Sequence, residues 1–171
     1  HGHADHNNTN LAAGAYALKN SEGASNIHGI NIRQIKTFHD KKNGKDRGPN
    51  LISIFEYDNF RLAHMGDIGT LLSDEEIKKI GRIDAIMIPV GGYYTVDAFD
   101  AWEIIRRLSP RIIIPMHYKT PRLDPKNPID TVDKFIAGRS NLTKLSGSTY
   151  EIDISSIPKE ETIVLFSPPS E

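Results

Sequence analysis

Two short apolar runs constrain this chain most. Residues 84–90 carry Ala85, Ile86, Met87, Ile88 and Val90; residues 111–116 carry Ile112, Ile113 and Ile114. Such near-continuous runs suit strands covered on both faces, as in a parallel sheet. Between them Thr95 or Asp97 can cap a helix reaching about Leu108. Ala98, Trp102, Ile105 and Leu108 are spaced for one buried face, and Ser109-Pro110 stops the helix. The unit is β–α–β, and a layered α/β domain follows. The chain has 171 residues, 38% hydrophobic and 25% charged, which fits one globular domain over 1–171.

Upstream the pattern is β-rich. Residues 7–29 read as a polar loop, with a short strand near Ala15–Leu18 and a turn at Ser21–Ser25. Ile30 to Phe38 alternates imperfectly but is rich enough in β-branched residues for a strand. Residues 41–49 form a charged, glycine-bearing loop. Leu51–Tyr57 and Phe60–Met65 then read as a hairpin across Asp58-Asn59. Ser73 with Glu76 makes a capping box for a helix to about Ile80. Beyond the β–α–β unit, Ile129–Ala137 reads as a helix, and Ser148–Ile154 and Glu161–Phe166 as closing strands.

The chemistry is concentrated in the first six residues, His1-Gly2-His3-Ala4-Asp5-His6. In an extended segment His1 and His3 point to one side, because side chains alternate with period two. Two imidazoles on one side can grip one cation, and a turn at Asp5-His6 can address a second. Imidazole with carboxylate suits zinc by default, with manganese or iron as alternatives. Three later residues each follow a predicted strand: His39, Asp67 and His117. Ligands at strand ends can converge on one edge of a sheet. His64, three residues before Asp67, is a candidate for a functional role, and Tyr93 and Tyr94 are candidates for substrate contact. Lys41, Lys42, Lys45 and Arg47 form a basic loop after His39, able to attract a phosphate-bearing substrate. Asp40 is placed to orient a ligating imidazole.

Composition excludes several classes. There is no cysteine, so neither disulfides nor thiolate ligands are available. A net charge of −1 with interspersed signs argues against a nucleic-acid partner. No segment approaches the roughly 20 apolar residues of a membrane span. A cytoplasmic location is compatible with the absence of cysteine. Residue 1 is His, already inside the motif, so the chain is read as the C-terminal portion of a longer polypeptide.

The order His1-x-His3-x-Asp5-His6, His39, Asp67, His117 resembles the metallo-β-lactamase-fold superfamily across essentially the whole chain. Phe38-His39-Asp40, His64-Met65-Gly66-Asp67-Ile68-Gly69, Pro89-Val90-Gly91-Gly92-Tyr93-Tyr94-Thr95 and Ile114-Pro115-Met116-His117-Tyr118 look like one branch of it. That branch holds zinc-dependent hydrolases related to ascorbate-6-phosphate lactonase. The resemblance implies a four-layer αββα sandwich, whose first strands precede the opening motif and are missing here. It also implies two divalent metal ions. His1, His3 and His39 would hold one metal; Asp5, His6 and His117 would hold the other; Asp67 would bridge them. Asp5 would also orient the attacking water, and His64 is the second catalytic candidate.

Departures narrow the activity. Antibiotic-hydrolysing members commonly use cysteine at the position of Asp67. Flavodiiron members replace the His3-like residue with Glu. The RNA-processing nucleases carry a large domain where this chain has only a β–α–β unit. What is left is a binuclear hydrolase that uses a metal-bridging hydroxide on a small lactone, ester or phosphodiester. The alternative is a non-catalytic metal-binding or regulatory member of the same fold. The expected partner is a small-molecule substrate, and self-association into a homo-oligomer stays open.

Overall fold

A computed structural model describes residues 22–167. One eight-stranded sheet runs through them, in the order β1-β2-β3-β4-β5-β6-β8-β7. Strands β1 (Gly23–Ile27), β2 (Ile30–Phe38), β3 (Pro49–Tyr57) and β4 (Phe60–His64) form an antiparallel meander. From β4 onward the pairing is parallel, through β5 (Ala85–Pro89), β6 (Ile112–Met116), β8 (Thr162–Leu165) and β7 (Leu142–Lys144).

Local chemistry accounts for most elements. Tyr57 pairs with Phe60, and Asp58 and Asn59 have φ of 48° and 63°. Both lie in the left-handed region that a tight hairpin turn requires, which Asp and Asn tolerate. Helix α1 (Asp74–Ile80) starts on the expected capping box. The Ser73 hydroxyl accepts from Glu76 N–H at 3.2 Å, and the Glu76 carboxylate accepts from Ser73 N–H at 2.7 Å. Helix α2 (Ala98–Leu108) is capped by Asp97, the second of the two candidates. It buries Ala101, Ile104, Ile105 and Leu108.

Strands and helices share one main core. Ile35, Ile52, Ile54, Ala63, Ile86, Ile88 and Ile113 meet Ile80, Ile104, Ile105 and Phe135 from the helices. The opposite face of the sheet carries a smaller cluster, Ala85, Ile112, Ile114 and Val164, with Phe60, Leu62 and Met87 against it. The α/β class therefore holds. Of the four layers that the resemblance implies, the described residues supply one sheet and the helical layer on one face.

Three expectations need correction. Residues 23–27 are a strand, not part of a loop. The sequence Gly-Ala-Ser-Asn-Ile has weak β propensity and is mostly exposed, so its strand state comes from pairing with β2 across His28-Gly29. The helix expected over Ile129–Ala137 shrinks to one turn, α3 (Asp133–Ile136). Residues before it are held extended: Asp130 N–H donates to Gly91 C=O, and Thr131 bridges Lys119. Residues 148–153 are irregular and lead to a 3-10 turn at Ile154–Ser156; the strand beside β8 is Leu142–Lys144. The strand expected near Ala15–Leu18 lies outside the described residues. Among the described residues, no helix is long and apolar enough to cross a membrane.

Candidate metal centre

The topology decides where the candidate ligands fall. β2 and β4 are both antiparallel to β3, so they run the same way, and β5 and β6 run parallel to β4. The C-terminal ends of β2, β4 and β6 therefore lie at one rim of the sheet. His39, Asp67 and His117 follow those three ends. His1, His3, Asp5 and His6 lie outside the described residues.

His39 and Asp67 come together. His39 Nε2 stands 3.7 Å from Asp67 Oδ2, with only 4% and 10% of the two side chains exposed. That is too long for a hydrogen bond. It suits two donors turned toward one cation, each about 2.0–2.2 Å from the metal. The backbone enforces the approach: Gly69 N–H donates to Phe38 C=O at 3.0 Å. A Cβ on Gly69 would lie 2.3 Å from the His39 carbonyl carbon, so only glycine lets the Asp67 loop cross the His39 backbone this closely.

His117 reaches the same rim by a separate route. Its φ is 50°, and its C=O accepts from Gly91 N–H at 3.1 Å. Val96 N–H donates to Ile68 C=O at 2.9 Å, so the loop after β5 links the His117 and Asp67 segments. His117 Nδ1 is buried without a hydrogen-bond partner among the described residues. A buried imidazole nitrogen in that state fits a metal-ligating role, since buried polar atoms are otherwise paired. Among the described residues alone, no three His, Asp or Glu side chains are grouped closely enough to hold a cation. The donor types nonetheless fit a zinc-class ion.

His64 ends β4 and pairs in register with Met87, which places it on the sheet face opposite the helices. Gly66 N–H donates to its Nδ1 at 3.1 Å, so neutral His64 carries its proton on Nε2. Burial pushes the His64 pKa down, and the charge of Asp67 only partly offsets this.

Among the described residues, Asp40 orients no imidazole. Its carboxylate accepts four backbone N–H groups of its own loop: Lys42 and Gly44 at 2.7 and 3.0 Å on Oδ1, Asp46 and Arg47 at 3.1 and 2.8 Å on Oδ2. Burial pushes its pKa up, but these four donors outweigh burial and leave the carboxyl below its usual range. The basic loop is thereby folded on an anion of its own. Lys41 is tied to Asp100 at 2.7 Å, and the Arg47 guanidinium lies 5.5 Å from the Tyr94 ring centre. Tyr94 meets Tyr93 edge to face at 4.6 Å, and Tyr93 is 63% exposed. A cavity of about 570 Å³ begins at Tyr118, the residue after His117, with Pro121, Leu123, Leu165 and Phe166 among its walls.

Residues 39, 67 and 117 were legible as candidates because each follows a strand. Asn50 was not singled out, although the repeat Asn50-x-Ile52-x-Ile54 puts a polar residue where the pattern asks for an apolar one.

A mixed sheet with helices on one face defines an α/β protein, and His39, Asp67 and His117 follow its strands at one rim. The chain belongs to the beta-lactamase superfamily domain family, whose model matches residues 1–117. It is 30% identical over 100 residues to a metal-dependent hydrolase of Thermococcus onnurineus, covering 57% of this chain and 45% of that one. It is 30% identical over 118 residues to a metal-dependent hydrolase of Archaeoglobus fulgidus, covering 65% and 51%. The chain spans about half the length of the curated relatives it matches. A crystal structure from Thermotoga maritima, assigned to the Zn-dependent hydrolases of the metallo-beta-lactamase superfamily, superposes with a TM-score of 0.76 at 32% identity. That match covers 89% of this chain and 72% of the other.

Proposed function

We propose that this chain carries the metal-binding part of a hydrolase that uses two divalent cations, zinc by default, on a small lactone, ester or phosphodiester. The observation that carries the reading is the approach of His39 Nε2 to Asp67 Oδ2 at the rim where His117 also ends its strand. Relatives named as metal-dependent hydrolases support it. In this reading His1, His3 and His39 would hold one ion, Asp5, His6 and His117 would hold the other, and Asp67 would be a ligand they share. The ions, when bound, supply Lewis acidity and an activated water.

The chain's own residues do the rest. Asp5 would orient the attacking water. His64, neutral and protonated on Nε2, acts as a hydrogen-bond donor and not as a base. Tyr93 and Tyr94 form an aromatic rim, and Arg47, stacked over Tyr94, offers a cation to an anionic substrate group. The apolar walls beyond Tyr118 accept the uncharged part of the substrate.

The test is metal content. Purified wild-type chain should take up two equivalents of Zn²⁺ by elemental analysis. Asp67→Ala and His117→Ala should each lose most of that metal while staying folded by circular dichroism. Two equivalents retained in both variants would remove the ligand assignment. Turnover on lactone, ester and phosphodiester probes then sorts the substrate class, and full metal with no turnover on any of them would point to a non-catalytic metal-binding protein.

A further inference from the structure

Asn50 is buried to 1% exposure near the start of β3, opposite Thr37 of β2. By strand alternation it shares a face with Ile52 and Ile54, which belong to the main core. An amide in that row is costly unless all its polar atoms are paired. They are paired in a directed way. Asn50 Nδ2 donates to Thr37 Oγ1 at 2.8 Å and to Met65 C=O at 2.9 Å. Asn50 Oδ1 accepts from Asp67 N–H at 2.9 Å. Thr37 stands two residues before His39, and Met65 two before Asp67. One side chain therefore ties the strand that presents His39 to the backbone of the loop that presents Asp67.

We propose that Asn50 is a positioning residue for the metal centre: its amide oxygen fixes the Asp67 backbone so that the carboxylate faces His39. The inference rests on the reading of Asp67 as a ligand. It predicts that the acceptor at position 50, and not merely the volume there, sets metal affinity. Thr37 supplies the contrast, because its bond to Asn50 supports the fold without touching Asp67.

Three variants separate the roles. Asn50→Leu keeps approximate volume and removes every bond; Asn50→Asp keeps an acceptor for Asp67 N–H; Thr37→Val removes only the far contact. Co²⁺ is titrated into the full chain against a chromophoric chelator, and exchange of the Asp67 amide is followed by NMR in the metal-free protein. Asn50→Leu should bind Co²⁺ ten- to a hundredfold more weakly, the range typical when a supporting contact to a metal ligand is lost. Its Asp67 amide should also exchange faster. Thr37→Val should keep near-wild-type affinity and slow exchange at Asp67, even if it melts earlier. Asn50→Asp keeps the acceptor for Asp67 N–H but loses the donation to Met65 C=O and buries a charge. It should therefore melt earlier, yet bind Co²⁺ more tightly and exchange more slowly at Asp67 than Asn50→Leu. Undiminished affinity in Asn50→Leu, or an equal loss in Thr37→Val, would overturn the proposal. If Asn50→Leu does not fold, Asn50→Ser, too short to reach Asp67, takes its place with the same expectations. A wild-type chain that takes up no Co²⁺ would instead remove the hydrolase reading, and the role of Asn50 with it.

Discussion

Gly69 shows how finely the loops bearing His39 and Asp67 are fitted. The positions of His39 and Asp67 depend on a backbone crossing that leaves no room for a methyl group, since a Cβ at Gly69 would lie 2.3 Å from both the carbonyl carbon and the oxygen of His39. Both neighbours are backbone, so neither can swing aside. Gly69→Ala should cost about 1–3 kcal/mol, the usual range for forced overpacking. Thermal melts should show the loss, and Zn²⁺ titration should show weaker binding than the stability loss alone explains. An unchanged melt would mean that the crossing is looser than drawn. The sequence marked His39 and Asp67 because each follows a strand, but gave no sign of the crossing. The backbone partners of Asp40 were hidden for a related reason. All four lie within seven residues of it, and only the folded loop brings their N–H groups around one carboxylate.

Among elements, legibility follows how local the cause is. The Asp58-Asn59 hairpin and the Ser73–Glu76 box are decided within four residues, and both form as the sequence indicates. Ser73→Ala should remove the cap at a cost of about 1 kcal/mol. For a chain of this size that is a drop of about 2–4 °C in Tm. A melt unchanged by Ser73→Ala would show that α1 is held by its packing and the Arg107 contacts to Leu72 and Asp74 alone. Strand β1 and the shortened α3 went the other way. The first borrows its structure from β2. The second loses its first turn because residues 129–131 are drawn out toward Gly91 and Lys119. Both causes lie far along the chain, where periodicity cannot register them.

At the scale of the whole molecule, the proposed centre would make metal binding and folding one equilibrium. In the proposed reading, ligands following β2, β4 and β6 would tie the antiparallel and parallel halves of the sheet to one centre. A cation held only by the folded state stabilises it by about 2.7 kcal/mol at a hundredfold excess over Kd. Chelator should therefore lower Tm by about 5–10 °C, and Zn²⁺ added back should restore it. The shift should vanish in Asp67→Ala. A melting temperature indifferent to chelator in the wild type would separate metal from stability and weaken the binuclear reading. The parallel runs at residues 84–90 and 111–116 made the α/β class readable, but the extent of the sheet on the β1 side was not.

Directionality of the strands also leaves a quiet end. The two tight reversals, His28-Gly29 and Asp58-Asn59, sit at the margin farthest from His39, Asp67 and His117, because β2 starts there and β3 finishes there. A fluorophore or a short peptide grafted into the 58–59 reversal would report on this molecule from a distance, leaving its chemistry undisturbed.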